Sequence, residues 1–479
     1  MSQVRPFFIN NEWVNGAGEP FASTNPADGT QNAMIGAAAP ADVEAAVAAA
    51  RAALDNPAWR GLKPHERAKM IYRVSELLNE DSERIARVQM SDNGKTIKEC
   101  REQVASAANT FRYYAAACET FESEVTPPRG SYWTMTVYEP VGVVAAITAW
   151  NSPLLLDAQK LAPILAAGNT TILKGSEVTP LISLEYATLF LKAGFPPGVV
   201  NVLTGTGEVG RLLVESPGVD MISFTGGTRT GIAIATVAGR MLKPVVLELG
   251  GKSPNIVFAD ADLKKAITGV GEGIFSSGGQ SCIAGSRVFV EKSVYDQFLD
   301  GFKKFAEEYR VGPPESAESK MGPLVGFFHR DHVEKYVEIG RSEGATVVAG
   351  GARPTGGVFD KGAYYPATIL TGLNNKARVC REEIFGPVAV VLPFEGEEDL
   401  MHQANDTDFG LASGIWTGDY KRAWRVARAL RAGTVWINTY KQASISTPFG
   451  GFKQSGIGRE KGLMGMRSYM EAKGIFWSL

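Results

Sequence analysis

Apolar positions recur at helical spacing over 41–54 (ADVEAAVAAARAAL) and again over 64–90, with alanine, leucine, glutamate and arginine filling both segments. Pro40 and Asp42 mark the start of the first, and the period predicts two N-terminal helices. A third is predicted from about residue 104 to 121, ending well before the Pro127-Pro128 pair. Over 131–140 (SYWTMTVYEP) aromatic or β-branched residues alternate with small ones, an extended pattern whose terminal proline suits the edge of a sheet. Such an edge could pair with another chain.

From residue 141 the texture changes to short apolar runs punctuated by glycine and proline: VGVVAAITA, TTILKG, VVNVLTG, MISFTGG and VVLELGG. Helical segments are predicted between them at 153–167, 180–194, 207–215 and 229–239. This alternation of strand and helix predicts an α/β fold with a parallel, doubly wound sheet, whose ligands sit beyond the carboxyl ends of the strands. A second alternating stretch, roughly 254 to 440, contains SRVFVEK, ATVVAGG, VAVVLPF, SGIWTG and TVWIN. It predicts a second α/β lobe across a cleft. Residues 447–459 (TPFGGFKQSGIGR) read as a loop, followed by a short helix and the apolar segment GIFWSL. There is no repeat at a fixed period.

At 479 residues with 44% hydrophobic and 21% charged positions, the chain is long enough to bury a large core without metals or disulfides. A formal charge of -2 gives no basic surface for nucleic acid. The start MSQVRPFFINNEW meets Asn10, Asn11 and Glu12 before any apolar run of signal-peptide length, and the most apolar stretch, 141–173, is broken by Asn151, Asp157, Gln159 and Lys160. A cytoplasmic protein with no membrane partner is expected. The four cysteines (Cys100, Cys118, Cys282, Cys380) contain no C-x-x-C, and with only four histidines (His65, His329, His332, His402) no metal site is expected.

Two glycine turns could face a phosphate. Gly205 to Gly210 matches G-x-G-x-x-G after a predicted strand, yet in a chain with 53 glycines a chance match is expected, and Asp220 precedes its strand rather than ending one. A phosphate cradle and an ordinary strand-to-helix turn both stay open, as they do for the turn from Phe224 to Gly231. Cys282 lies in SSGGQSCIAG, small residues that leave a side chain free of bulk; the alternative is a buried small hydrophobe. None of the histidines sits in a glycine-rich or strand-end context, and His329 and His332 read as a solvated helix face. Glu248, ending VVLE before two glycines, is an acid at a position where α/β strands deliver functional groups.

Taken in order, ELGGKSP (248–254), GQSCIAGSR (279–287), AWN (149–151), KGSE (174–177), FTGGT (224–228), MGPL (321–324), EEIFGPV (382–388) and PFGGFKQSGIGRE (448–460) resemble the motifs of the NAD(P)-dependent aldehyde dehydrogenases along nearly the whole chain. The resemblance implies a Rossmann-type dinucleotide-binding domain (1–125 and 141–249), a catalytic domain (250–446) and a small β oligomerisation arm (126–140 and 460–479), assembled as a homodimer or homotetramer. It implies catalytic roles for Cys282 as nucleophile, Glu248 as the base for water, Asn151 as an oxyanion donor, and Lys174. Cofactor contacts are implied for Trp150, Lys174, Ser176, Glu177, Gly207, Phe224, Gly226, Gly227, Leu249, Glu383 and Phe385. Glu177 favours NAD, with NADP the alternative, because a carboxylate accepts ribose hydroxyls and repels a 2′-phosphate.

Departures from the family pattern carry information too. Gly227 replaces a common serine, removing one hydrogen bond to phosphate. Around the implied substrate pocket stand Ser152, Leu155, Gln159, Ser276, Lys441, Ala443 and Phe449, with Gln442 nearby, and several of these replace aromatic residues. Polar groups there penalise an alkyl chain that leaves them unpaired, so a polar or semialdehyde-type small-molecule aldehyde is expected. A CoA-acylating dehydrogenase and a catalytically silent NAD-binding homologue are the alternatives.

Overall fold

The computed structural model describes residues 4–478; residues 1–3 of the first predicted domain and residue 479 of the arm lie outside the described residues. Its mixed α/β architecture agrees with the predicted class. The larger sheet has eight strands in the order Gly456–Ile457, Val245–Glu248, Met221–Thr225, Val143–Ile147, Thr170–Lys174, Val200–Leu203, Phe7–Ile9 and Glu12–Val14. The five from Val245–Glu248 to Val200–Leu203 are mutually parallel, and each flanking strand is antiparallel to its inner neighbour. Strand order reverses on either side of Val143–Ile147, which opens a crevice at the carboxyl ends.

A second sheet of seven strands runs Thr346–Ala349, Thr368–Thr371, Val388–Phe394, Arg287–Glu291, Pro254–Val257, Ala412–Trp416 and Thr434–Ile437, parallel except at its first member. Period-2 alternation divides its residues between two cores: Val388, Val390, Leu392 and Phe394 join one cluster, Ala389 and Val391 the other. Both faces are therefore covered, as a parallel sheet requires.

Several local expectations are corrected. The segment 64–90 is two helices, Pro64–Glu80 and Ser82–Asn93, broken at Asp81. The third helix starts earlier, at Ile97, because the Thr96 side chain accepts from the Glu99 N–H while Glu99 answers the Thr96 N–H, a reciprocal cap that fixes the start. The strand Tyr132–Pro140 is the centre of its three-stranded sheet, not an edge: Met470–Ser478 pairs with its whole length and Glu124–Gly130 takes the other side. Pro140 only ends the ladder. The predicted loop 447–459 contains two short strands, Phe452–Lys453 and Gly456–Ile457, the second closing the large sheet beside Glu248. The N-terminal strands between Val4 and Ala37 escaped the periodicity reading.

Candidate active site

Cys282 follows a tight turn, Ser276–Gly279, in which Ser277, Gly278 and Gly279 all take left-handed φ values of 58°, 63° and 66°. A Cβ on Gly279 would lie 2.1 Å from the Gly386 carbonyl oxygen, and one on Gly251 would lie 2.2 Å from the Cys282 carbonyl oxygen. Both glycines are needed for three chain segments to meet at the thiol. The loop is also held by polar contacts. Asn151 Nδ2 donates to the Gln280 carbonyl at 3.1 Å, Gln280 Oε1 accepts from the Val325 N–H at 2.9 Å, and the Tyr440 hydroxyl donates to the Ile283 carbonyl at 3.0 Å. Cys282 is half-buried, whereas Cys100, Cys118 and Cys380 are buried. Burial, then the charges of Glu383 and Glu248, push the Cys282 thiol up to about 12.

Glu248 ends its strand buried, and neither carboxylate oxygen has a hydrogen-bond partner among the described residues. Burial first, and the neighbouring Glu460 next, raise its pKa well above the usual carboxylate range against the opposing pull of Lys160, Arg459 and Lys461. Two effects thus favour the proton-bound form. Behind it Lys160 Nζ donates to Glu460 Oε1 at 2.6 Å and to Ser223 Oγ at 3.0 Å, a buried pair that the apolar periodicity of the helix Pro153–Ala166 gave no reason to expect. Glu460 closes the PFGGFKQSGIGRE motif, which was the one available signal.

At the carboxyl ends of the large sheet lies a cleft of about 410 Å³ lined by residues including Trp150, Lys174, Ser176, Glu177, Gly207, Phe224, Gly226 and Gly227. A Cβ on Gly207 or Gly227 would meet nothing within 4 Å, so both open directly on the cleft. Gly227 caps the 13-residue helix Thr228–Arg240 without a side-chain hydrogen bond, leaving the first amides free for an anion. Lys174 Nζ donates to Glu177 Oε2 at 2.9 Å at the cleft wall. Of the G-x-G-x-x-G motif, Gly207 and Gly210 line the cleft and Gly205 does not: a Cβ there would press on Val209. A glycine-lined floor, a helix N-terminus and a carboxylate fit a dinucleotide. Leu249 packs beneath the helix against Gly231 rather than lining the cleft. Glu383 accepts from the Gly251 N–H at 2.8 Å, and burial pushes its carboxyl up to about 7. Phe385 stands edge-on to Trp150 with ring centroids 5.2 Å apart.

On the other side of Asn151, Ser152 Oγ accepts from Gln103 Nε2 at 3.2 Å, and Ser276 Oγ accepts from Lys441 Nζ at 2.8 Å while donating to the Glu272 carbonyl. Burial, then the nearby Lys95, lower Lys441 to about 8. Gln103, Glu272, Ser276 and Ser277 border a cavity of about 740 Å³. Leu155 and Phe449 are half-buried, Gln159 is buried and Ala443 exposed. The Phe449 ring carries Lys461 Nζ at 4.9 Å from its centroid, and its backbone pairs with Glu460. Sequence reasoning missed Gln103 and Lys95. It also misplaced His329, which is buried while His332 is exposed: positions 329, 333 and 337 form the inner face of the helix Phe327–Ser342.

Residues 13–475 match the sequence model described as the aldehyde dehydrogenase family. The betaine aldehyde dehydrogenase of Bacillus subtilis (strain 168) is 42% identical over 479 residues, covering 99% of this chain and 97% of the relative. An NAD+ complex of an aldehyde dehydrogenase from Bacillus cereus superposes with a TM-score of 0.97 at 41% identity, covering 100% of this chain and 97% of that one. The aldehyde dehydrogenase KauB from Pseudomonas aeruginosa gives a TM-score of 0.97 at 42% identity, again covering 100% and 97% of the two chains.

Proposed function

Because the chain belongs to the aldehyde dehydrogenase family, we propose that it oxidises a polar small-molecule aldehyde to the carboxylic acid with NAD, through a covalent adduct on Cys282. The observation that carries this reading is Glu248, buried with both oxygens unpartnered among the described residues and close enough to Cys282 for its charge, when ionised, to raise the thiol. A carboxylate of raised pKa is the stronger base once ionised, and among the described residues it has no hydrogen-bond partner to give up before taking a proton from water.

The Cys282 thiolate, the minor form of a thiol pushed up to about 12, adds to the aldehyde carbon. The oxyanion so formed accepts hydrogen bonds from the Asn151 side-chain amide and the Cys282 N–H. NAD, when bound, supplies the hydride acceptor that turns this thiohemiacetal into a thioester. Glu248 deprotonates the water that hydrolyses it, and a base at this point supports release of a free acid over transfer to CoA. Trp150, Ser176, Gly207, Phe224, Gly226 and Gly227 would hold the dinucleotide, and Glu383 with Phe385 its nicotinamide end. Lys174 and Glu177 would hold the adenosine ribose, where the Glu177 carboxylate disfavours NADP.

On the substrate side, the Ser276–Lys441 and Ser152–Gln103 pairs support an aldehyde with polar atoms to satisfy them. The Lys441 ammonium favours a carboxylate over a cationic group, so an acid semialdehyde is the substrate class, although one relative is named for betaine aldehyde. The protein acts in the cytoplasm as a homodimer or homotetramer, with the domains divided as the sequence predicts.

Cys282→Ala should abolish turnover while NAD still binds in equilibrium dialysis; appreciable residual rate excludes the covalent route. Glu248→Gln should give one burst of NADH followed by slow release of acid, seen in a stopped-flow absorbance trace. In a substrate panel, acid semialdehydes should exceed hexanal and benzaldehyde in kcat/KM by about tenfold or more, the scale of one unpaired buried polar group. A preference for hexanal or benzaldehyde sinks the polar-pocket reading.

A further inference from the structure

His329 Nε2 lies 2.7 Å from the Phe385 carbonyl oxygen. Burial lowers its pKa to about 4, so at neutral pH the ring is uncharged and the contact makes Nε2 the protonated nitrogen. The residue it holds is strained: Phe385 has a φ of 59°, a region bulky side chains rarely enter and one that costs on the order of 1–3 kcal/mol. Such strain persists only where the surroundings impose it. On one side, Glu383 is tied to the Gly251 N–H; on the other, the Gly386 carbonyl rests where a Cβ of Gly279 would be. Between them the Trp150 ring stands edge-on to both Phe385 and His329, with centroids 5.2 and 4.9 Å apart. Asn93 Nδ2 in turn fixes the Trp150 carbonyl at 2.7 Å. Among the described residues, the imidazole's one polar contact besides its ring contacts is this one to Phe385.

We propose that His329 is a positioning residue for the dinucleotide: by donating to the Phe385 carbonyl it keeps residue 385 left-handed and its ring beside Trp150, at the end of the cleft that takes the nicotinamide half. The assignment rests on the NAD reading above. It separates two halves of one ligand: among the described residues the His329 side chain bonds to the Phe385 carbonyl, and none of its contacts is to the glycine-lined floor or to Glu177.

The test is calorimetric titration of the full-length protein with NAD and with ADP, which lacks the nicotinamide and its ribose. His329→Leu and His329→Phe remove the donor, the second keeping an aromatic ring against Trp150; His329→Gln keeps a side-chain N–H. Loss of the donor should weaken NAD by about tenfold, the lower part of the strain it balances, with ADP unchanged within about twofold and with His329→Gln recovering most of the loss. NAD affinity at the wild-type level in the Leu or Phe variant overturns the proposal, as does an equal loss for NAD and ADP. Should both donor-less variants melt without cooperativity, His329 is needed for folding at large and the proposal falls. Wild-type protein that binds neither ligand is a separate outcome: it refutes the cofactor reading and removes the basis of this one with it.

Discussion

Glu383 and Cys282 illustrate how much of the site's chemistry is set by single residues. After burial, the Glu383 charge is the largest influence opposing thiolate formation at Cys282, and Glu383 itself, pushed up to about 7 by burial, carries that charge in full only above neutrality. Glu383→Gln removes the charge at every pH. The pH at which Cys282 reaches half its maximal alkylation rate should therefore move down in the variant, measured with a small haloacetamide; an unchanged midpoint would show that the Glu383 charge does not govern the thiol. At this scale the sequence was readable where local context was distinctive. Cys282 stood among glycines and serines, and Glu248 at a strand end. His329 was not readable, because its partner is a backbone carbonyl 56 positions away, and a carbonyl leaves no mark in a one-dimensional pattern. Nor was the Lys160–Glu460 pair, which joins residues 300 positions apart.

Among the elements, the strand Arg287–Glu291 sits inside the seven-stranded sheet and begins with a fully buried guanidinium. Arg287 donates to the Lys252, Gln403 and Ala404 carbonyls and to Asn375 Oδ1, tying the segment after Glu248 to the helix Gly396–Asn405. Arg287→Met keeps the bulk and abandons all four acceptors, so it should cost about 3–5 kcal/mol in urea unfolding, the scale of a broken buried charged network. A loss below about 1 kcal/mol would mean that water replaces the guanidinium. Elements with two buried faces were legible as β-branched runs, since burial on both sides leaves no other composition. The strand Tyr132–Pro140 was misjudged as an edge because its proline was weighed without its partners, which arrive from the end of the chain. The Thr96 and Glu99 cap was written in the sequence as T-x-x-E, and the periodicity reading passed over it.

The whole molecule presents its three-stranded sheet to solvent, with Val125, Trp133, Phe476 and Trp477 exposed along it. That is more apolar surface than an isolated chain has reason to show. Wild-type protein should sediment as a dimer or tetramer, and a chain ending at residue 469, deprived of the strand paired to Tyr132–Pro140, as a monomer. A stable wild-type monomer at micromolar concentration would assign the exposed sheet some other role.

The thiol that begins the chemistry also bears on how the protein endures between turnovers. Oxidants attack thiolate far faster than thiol, and burial, joined by Glu383 and Glu248 where these are ionised, keeps Cys282 in the slower-reacting form. The charges that delay the first attack on an aldehyde are thus the ones that carry the resting nucleophile, reduced, through an encounter with peroxide.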